Sequence, residues 1–588
     1  MRRAAIWAGV LALAAVAAGG ARWPVAPGRV ADSLNAAVGP LRPLTWGAPQ
    51  AATFSALPWP SLHIVDATLD NASGVNLISA PEADVELSAL ALLSGRIAPV
   101  RVTLGAPTIT FDLDRPPFSG RFGASDAMAA VNGFAPLGGV SLTNGVVRVT
   151  SRARDLDTVI ETVNGRFENL SSASQITVDL SAIWRDAPFI LSVSLSEPQS
   201  ATTGRPSALD VRFKSSLGNL NFDGTVTAGA TPGAAGDLSA SSHAVAEVLR
   251  LVGVKSPPFP GLADFAVSGK VKATSDTVAF DEATITGDGQ TLQGALRVAR
   301  NRGRFAVAGS LDADRLSLAP LLGSPTPWMA PDGGWSAKAL SLSPPRDFDL
   351  DLRLSADELD AYGVRFSNIA ASAMIKDGAL TASLVDATAY EGRMTGELRL
   401  ACDASRALLS ARGRLAGADF GAAFTVLGWP SATGRGDAEF SVETAGRAPA
   451  DLIAGLSGKA SISLTDGAIS GVNLEGALRR SQRRSIEAAK DLPGGGTAFE
   501  RATLDLLIGQ GVAHVVEGSL VARGVSANLQ GAVDLGGQSW KLRLNASQAD
   551  PSGAVTPDAA RLSLDIDGPW SAPSVQAVQE GDGAGSAP

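Results

Sequence analysis

Alternation of apolar and polar residues is the feature that most constrains the fold of this 588-residue chain. Across residues 348–354 the even positions are apolar and the odd positions are Asp or Arg. Residues 540–544 and 562–567 repeat the pattern. Because successive side chains of a strand point to opposite faces, each run predicts a strand with one dry face and one wet face. Antiparallel sheets accommodate a wet face, so the sequence predicts a mainly β chain.

Turn signals separate the alternating runs. Asn-Gly and Asp-Gly pairs favour two-residue hairpins, because both central residues of a type I′ turn need φ > 0. The pairs used for this prediction are Asn144–Gly145, Asn164–Gly165, Asp223–Gly224, Asp288–Gly289, Asp377–Gly378 and Asp466–Gly467. We therefore predict a long, twisted antiparallel β-meander with a few short helices, since so many strands cannot form a flat sheet.

Composition excludes several classes of protein. The formal net charge is −9, and no long Lys/Arg stripe interleaves with aromatic residues, so we predict no nucleic-acid partner. Cys402 is the only cysteine, which excludes an intrachain disulfide framework. The three histidines lack a second ligand at metal-binding spacing. No constellation of nucleophile, base and orienting acid is recognisable, so we expect no enzyme activity, metal or cofactor.

The N-terminus carries the longest uncharged apolar stretch of the sequence. Residues 4–21 contain no charged residue, and Arg2, Arg3 and Arg22 flank them. As a helix this stretch would measure about 27 Å, which suffices to span a hydrocarbon core. We predict a single-pass transmembrane helix with the bulk of the chain exported. The alternative is a cleaved signal peptide, because the stretch is rich in alanine and residues 18–21 are all small.

Composition shifts along the chain predict four segments. Residues 1–22 form the anchor, residues 23–345 an N-terminal β region, residues 346–575 a C-terminal β domain, and residues 576–588 a disordered tail. The Pro-, Gly- and Trp-rich stretch 324–345 indicates a linker between the two β regions.

One basic cluster stands out in the longest predicted helix, residues 473–492. Arg480, Arg483 and Arg484 are three and four positions apart and share one helical face. Such a face predicts contact with anionic lipid headgroups or an acidic partner. A solvated helix rim is the alternative interpretation.

A series of short motifs in the second half follows a recognisable order. It includes Lys-Asp-Gly-Ala-Leu at 376–380, Ala-Tyr-Glu-Gly at 389–392, Leu-Ala-Gly-Ala-Asp-Phe at 415–420 and Gly-Pro-Trp-Ser-Ala-Pro at 568–573. In order and spacing the series resembles the AsmA family of inner-membrane-anchored periplasmic proteins of Gram-negative bacteria. The resemblance implies a β-sheet curled into a groove with an apolar lining. It also implies phospholipid transfer between the inner and outer membranes or, alternatively, a non-enzymatic scaffold or regulator of outer-membrane protein assembly and targeting.

The dry strand faces are the candidate lining of such a groove. Acyl chains are good occupants of an apolar face, since burial stabilises them by about 25 cal/mol per Å². The residues predicted to line it are Leu350, Leu352, Leu354, Trp540, Leu542 and Leu544. The expected partners are phospholipids, the inner membrane through residues 4–21, and outer-membrane or periplasmic assembly proteins.

Overall fold

The computed structural model of the chain divides into two units. Unit 1 comprises Met1–Val248 and Ala263–Ile285, and unit 2 comprises Leu249–Leu262 and Thr286–Pro588. The domain boundary predicted at residues 345/346 lies within the sequence of unit 2. The structure describes residues 19–37, 45–70, 76–112, 138–151, 156–170, 174–228, 232–251, 262–301, 304–319, 328–340, 344, 346, 348–403, 406–426, 432–481, 493–550, 555, 559–570 and 572–578.

Among the described residues as far as Gly287, strands dominate and four short helices interrupt them. The strands are β1 (Trp23–Val25), β2 (Thr45–Trp46), β3 (Ala51–Ser55), β4 (Ser61–Asp70), β5 (Asn76–Leu87), β6 (Pro99–Gly105), β7 (Thr108–Asp112), β8 (Gly139–Ser151), β9 (Leu156–Leu170), β10 (Gln175–Trp184), β11 (Ala187–Ser196), β12 (Ser207–Ser215), β13 (Gly218–Thr227), β14 (Gly233–Ser242), β15 (Phe265–Thr274) and β16 (Thr277–Gly287). The helices are α1 (Pro27–Ala37), α2 (Ala89–Leu93), α3 (Pro198–Thr202) and α4 (Val245–Leu251).

The rest of the chain repeats this organisation with longer strands. The strands are β17 (Gln290–Asn301), β18 (Arg304–Ser317), β19 (Phe348–Ala361), β20 (Val364–Lys376), β21 (Ala379–Ala389), β22 (Gly392–Asp403), β23 (Arg406–Asp419), β24 (Ala432–Gly446), β25 (Ser457–Val472), β26 (Pro493–Gly509), β27 (Val512–Ala522), β28 (Val525–Asp534), β29 (Ser539–Gln548), β30 (Arg561–Pro569) and β31 (Ser574–Val578). The helices are α5 (Phe420–Val426), α6 (Pro449–Ala454) and α7 (Leu474–Ser481).

The prediction of a mainly β meander with a few short helices is confirmed. From β19 to β31 each strand pairs antiparallel with the next strand along the chain. The transmembrane helix predicted at residues 4–21 falls, apart from its last three residues, outside the described part of the chain. Among the described residues, no helix has the length and apolar character needed to cross a membrane.

Among the described strand pairs, parallel pairing occurs at two places. β18 and β19 are parallel, with Val307 opposite Leu350. β8 runs parallel to both β6 and β7. Parallel neighbours need a crossover connection of about a dozen residues or more, whereas antiparallel neighbours need only a tight turn. Residues 318–347 and 113–138 provide the long connections at these two places.

Four of the six predicted hairpin turns lie inside strands. Only Asp288–Gly289 and Asp377–Gly378 join neighbouring strands, and both residues of each pair have positive φ. Asn144 and Asp466 also have positive φ, but they lie within β8 and β25 next to shifts of register. A β-bulge uses the same left-handed conformation as a type I′ turn, which explains the wrong predictions at these two positions.

Helices complete the hydrophobic core of each unit. In unit 1, Val30 and Leu34 on α1 pack with Ile64 and Val85 of the sheet. In unit 2, α5 contributes Phe420 and Phe424, and α7 contributes Leu474 and Leu478. Full burial of such a side chain stabilises the fold by about 1.5–3 kcal/mol, so these helices strengthen the parts of the sheet that they cover.

Candidate functional site

Strand register places the two groups of predicted lining residues on one face of the unit 2 sheet. Directly opposed residues of neighbouring strands share a face, so a row can be followed from strand to strand. From Leu352 the row runs through Ala373, Ala382, Leu398, Ala411, Val442, Gly458, Ile508, Ala513, Val533 and Trp540. Every member is apolar or glycine. We call the sheet surface that contains this row the apolar face.

The predicted lining residues differ in burial. Leu350 and Leu542 are buried, and Leu350 packs with Phe348 and Ile375. The others, Leu352, Leu354, Trp540 and Leu544, are half-buried. Leu354 packs against the cluster around Ile369, and Leu544 against the main core of unit 2. The structure thus places all six on the apolar face, in two groups with nine strands between them. Two of the six, Leu350 and Leu542, are buried.

Helices cover one end of the apolar face. Leu474, Ala477 and Leu478 of α7 are buried at helical spacing against residues such as Phe499. The helix begins after Asn473, whose side-chain Oδ1 accepts a hydrogen bond of 2.8 Å from the Gly476 backbone N–H. Asparagine is a favoured residue at this capping position, because it pairs one of the free N–H groups of the first turn.

A tryptophan-rich segment covers the other end. The Trp335 indole Nε1 donates a hydrogen bond of 2.7 Å to the Leu535 carbonyl in the turn between β28 and β29. Its ring meets Trp570 edge-on at a centroid distance of 6.4 Å, and Trp570 lies 6.0 Å from Trp540. Ser336 accepts a backbone hydrogen bond of 3.1 Å from Ala450 of α6. Residues 328–340, predicted as part of a linker, therefore pack against the strands of unit 2.

The apolar face remains accessible at its centre, on β22 and β24. Leu398 on β22 is 37% exposed, and Phe440 on β24 is also exposed. Ala411, Val442 and Leu506 around them are half-buried. Exposed leucine and phenylalanine side chains beside half-buried apolar neighbours form a surface that favours an apolar ligand.

The opposite face of the same strands is polar and carries ion pairs. Glu397 accepts hydrogen bonds from Arg399 and Arg412, with 2.6 Å between Glu397 Oε2 and Arg412 NH2. The Arg412 hydrogen bond is the main reason why the pKa of Glu397 lies below its usual range. Likewise, the Arg543 hydrogen bond lowers the pKa of Asp565. Shallow cavities on this polar face are lined by charged and hydroxyl side chains, among them Arg412, Ser441 and Lys459.

The model of the AsmA family matches residues 255–516. This match supports the assignment of the chain to the AsmA family. Membership suggests a role in outer-membrane or lipid-related biogenesis. No curated protein matches the chain.

The AsmA-family segment contains the centre of the apolar face. Leu350, Leu352, Leu354, Leu398 and Phe440 lie inside the match, whereas the β29 group at 540–544 lies beyond its end. The register nevertheless continues the same apolar face into β29.

The predicted basic cluster is described only in part. Arg480 is exposed in the last turn of α7, on the side away from buried Leu478. Arg479 forms an ion pair with Glu475 one turn earlier. Arg483 and Arg484 lie outside the described residues, so a headgroup-contacting role for the cluster stays a prediction.

Sequence reasoning did not single out Leu398, Phe440 or the contacts of Trp335. The alternation in residues 397–400 was visible, but it resembles many other strands of this chain. Only the register shows that Leu398 and Phe440 share a face with Leu352. Proximity of Trp335 to Leu535 depends on tertiary structure, since 200 residues separate the two in sequence.

Proposed function

We propose that this protein binds phospholipid acyl chains along the apolar face of unit 2 and transfers phospholipid between the inner and outer membranes. The observation that carries the proposal is the apolar row from Leu352 to Trp540, on a face that remains accessible at Leu398 and Phe440. Neighbouring strands are about 4.8 Å apart, so the row extends on the order of 50 Å across the sheet.

The chemistry of the face suits acyl chains. Each methylene removed from water contributes about 0.8 kcal/mol, so a lipid tail gains affinity along its whole length without needing a specific polar contact. A headgroup would remain in water beside the exposed centre. Small residues such as Ala382, Ala411 and Gly458 leave space above the strands for such a tail.

Transfer on this face needs no bond to be made or broken. We therefore propose a non-enzymatic function, in which partner proteins set the direction of lipid movement. Among the described residues, no group of three His, Cys, Asp or Glu side chains could hold a metal ion. We further propose that residues 4–21 hold the chain in the inner membrane and that the rest lies in the periplasm.

The test compares two leucines on adjacent strands. Leu398 lies on the apolar face and is 37% exposed, whereas Leu408 lies on the polar face and is 45% exposed. The full chain and its Leu398→Asp and Leu408→Asp variants would be purified under mild conditions and examined by native mass spectrometry. We expect several phospholipids per chain in the parent and in Leu408→Asp, and a loss of most of them in Leu398→Asp.

Two outcomes would contradict lipid binding on this face. Equal lipid loading of both variants would place the lipid elsewhere. A folded, lipid-free parent chain would favour the second candidate, a scaffold for outer-membrane protein assembly whose apolar face is a closed core. The buried state of Leu350 and Leu542 is the observation that favours this second candidate. Circular dichroism of each variant would confirm that the β-sheet is intact.

A further inference from the structure

Unit 1 exposes large apolar side chains at one end of its first strands. Trp59 is 72% exposed, Leu90 is 82% exposed and Leu93 is 86% exposed. Leu57 and Trp23 are also exposed nearby. We call these five residues the Trp59 patch. Scattered single apolar residues are common on protein surfaces, but a cluster that includes two tryptophans indicates an interaction site.

Backbone hydrogen bonds bring the members of the patch together. The Leu87 N–H donates to the Pro60 carbonyl at 2.8 Å, which places the Trp59 turn beside the start of α2. Trp23 lies opposite Phe54 in the β1–β3 pair, close to the same turn. All these residues belong to unit 1.

Helix α2 presents leucines to the outside. Its sequence, Ala-Leu-Ala-Leu-Leu, contains no polar residue. Ser88 caps it by accepting a hydrogen bond from the Ala91 N–H. Leu92 packs against the core of unit 1, while Leu90 and Leu93, three positions apart, remain outside on a common face. A surface helix in water normally has a polar outer face, so α2 is better suited to an apolar medium.

The N-terminal apolar stretch ends at this patch. Residues 4–18 are uncharged and lead directly to Gly19, whose carbonyl accepts hydrogen bonds from the N–H groups of Ala56 at 3.0 Å and Leu57 at 2.8 Å. A Cβ at Gly19 would collide with the Leu57 side chain. Leu57 and Trp59 therefore lie next to the residue at which the N-terminal stretch ends. An apolar medium that received this stretch would also be next to these two side chains.

We propose that the Trp59 patch lies in the headgroup–acyl boundary of the lipid bilayer, the same bilayer that receives the N-terminal stretch. Tryptophan is enriched at this depth because its ring is amphipathic, and apolar helix faces bury there by about 5–10 Å. Arg22 and Arg96 are exposed close to the patch in sequence and would face the phosphate groups of the lipids. The contact would fix the orientation of unit 1 at the membrane surface.

A site-specific fluorescent label tests the contact in the full chain. In a Cys402→Ser background, Leu93→Cys would carry an environment-sensitive nitrobenzoxadiazole dye, and the protein would be reconstituted into nanodiscs of phosphatidylethanolamine and phosphatidylglycerol. Met374→Cys is the matched control, because Met374 is exposed on the polar face of unit 2. We expect a blue shift at position 93 and quenching by lipid-borne quenchers that is strongest at a depth of about 5–10 Å. We expect neither effect at position 374.

Three results would overturn the proposal. A water-like spectrum at position 93 in nanodiscs would show that the patch does not enter the bilayer. A blue shift that lipid-borne quenchers leave unchanged would show that another part of the protein covers the patch. Equal quenching at positions 93 and 374 would show adsorption without a defined contact. The readout at position 93 does not depend on the apolar face of unit 2, so failure here and failure of lipid binding by that face are distinguishable.

Discussion

Phe440 lays its ring over Gly413 on the neighbouring strand, so that a Cβ at Gly413 would lie 2.7 Å from the ring carbon Cε1. We expect Gly413→Ala to push the ring aside and to lower the free energy of unfolding by about 1 kcal/mol. In a Phe440→Ala background the same change should be neutral or stabilising, because the space is open and glycine no longer adds chain entropy to the unfolded state. Urea denaturation of the four proteins gives the coupling energy, and a value below about 0.3 kcal/mol would show that the two residues are independent.

The Arg543–Asp565 pair predicts a pH-dependent contribution to stability. The guanidinium donates two hydrogen bonds to the carboxylate, at 2.6 Å from Nε to Oδ1 and 2.8 Å from NH2 to Oδ2. These bonds lower the pKa of Asp565, so its stabilising effect is present above the usual carboxyl pKa and is lost as the pH falls through the lowered value. We expect Arg543→Gln to reduce the unfolding midpoint at pH 7, with the difference from the parent shrinking below about pH 4.

Lys541→Gln is the control for this pH series. Lys541 lies on the same strand, two residues from Arg543, and its side chain is on the same polar face. A deficit of Arg543→Gln that stays constant down to pH 2, or one that Lys541→Gln reproduces, would argue against the ion pair as its cause.

The hydrogen bonds of Thr497 are expected to determine how strongly the start of α7 is held against the sheet. Its buried hydroxyl donates a hydrogen bond of 2.6 Å to the Val472 carbonyl and accepts one of 3.0 Å from the Leu474 N–H. Thr497→Val keeps the shape but leaves both backbone groups unpaired, so we expect a loss of about 1–3 kcal/mol in thermal or denaturant unfolding. Thr497→Ser keeps the hydroxyl and should cost clearly less. Equal losses would indicate that packing of the methyl group, not hydrogen bonding, holds the helix.

The contacts of Trp335 are expected to limit how often residues 328–340 detach from their end of the apolar face. Trp335→Phe removes the donor to the Leu535 carbonyl and weakens the contact with Trp570. We expect limited proteolysis to cleave this segment several-fold faster in the variant, since the segment opens more often. Trp328→Phe changes an exposed tryptophan of the same segment and should leave the cleavage rate unchanged. Resistance of Trp335→Phe to the protease would contradict an anchoring role.

Local pattern was sufficient to predict the strands of this chain. The alternation at 348–354 and 540–544 depends on only a few residues, and both runs lie in long strands, β19 and β29. The roles of positions such as Asp223 and Gly224 were harder to predict from sequence. A residue type that tolerates φ > 0 or has a small side chain is equally suited to a turn, a β-bulge or a close approach between strands. Gly224 lies opposite Gly236, where a Cβ would come within 2.6 Å of the neighbouring Cα, so it serves strand contact instead of a hairpin.

The site required information that no local pattern contains. Whether Leu352 and Trp540 share a face depends on the registers of ten strand pairs, and a one-residue slip in any of them would move one group to the wet side. Bulges such as the one near Asp466 change the parity within a strand, so counting residues along the chain cannot establish the face. The position of α7 on the apolar face could not be predicted locally either, because the helix packs on strands far from it in sequence.

The parallel pairing of β18 with β19 has a consequence for how this chain folds during synthesis. Each hairpin after β19 can close as soon as its second strand emerges, because contacts between neighbours in sequence cost little loop entropy. The β18–β19 contact must instead wait for residues 318–347 to close a loop, which is slower. The strands from β19 onward can therefore begin to fold without β18. A misfolded segment before residue 318 need not prevent these strands from pairing.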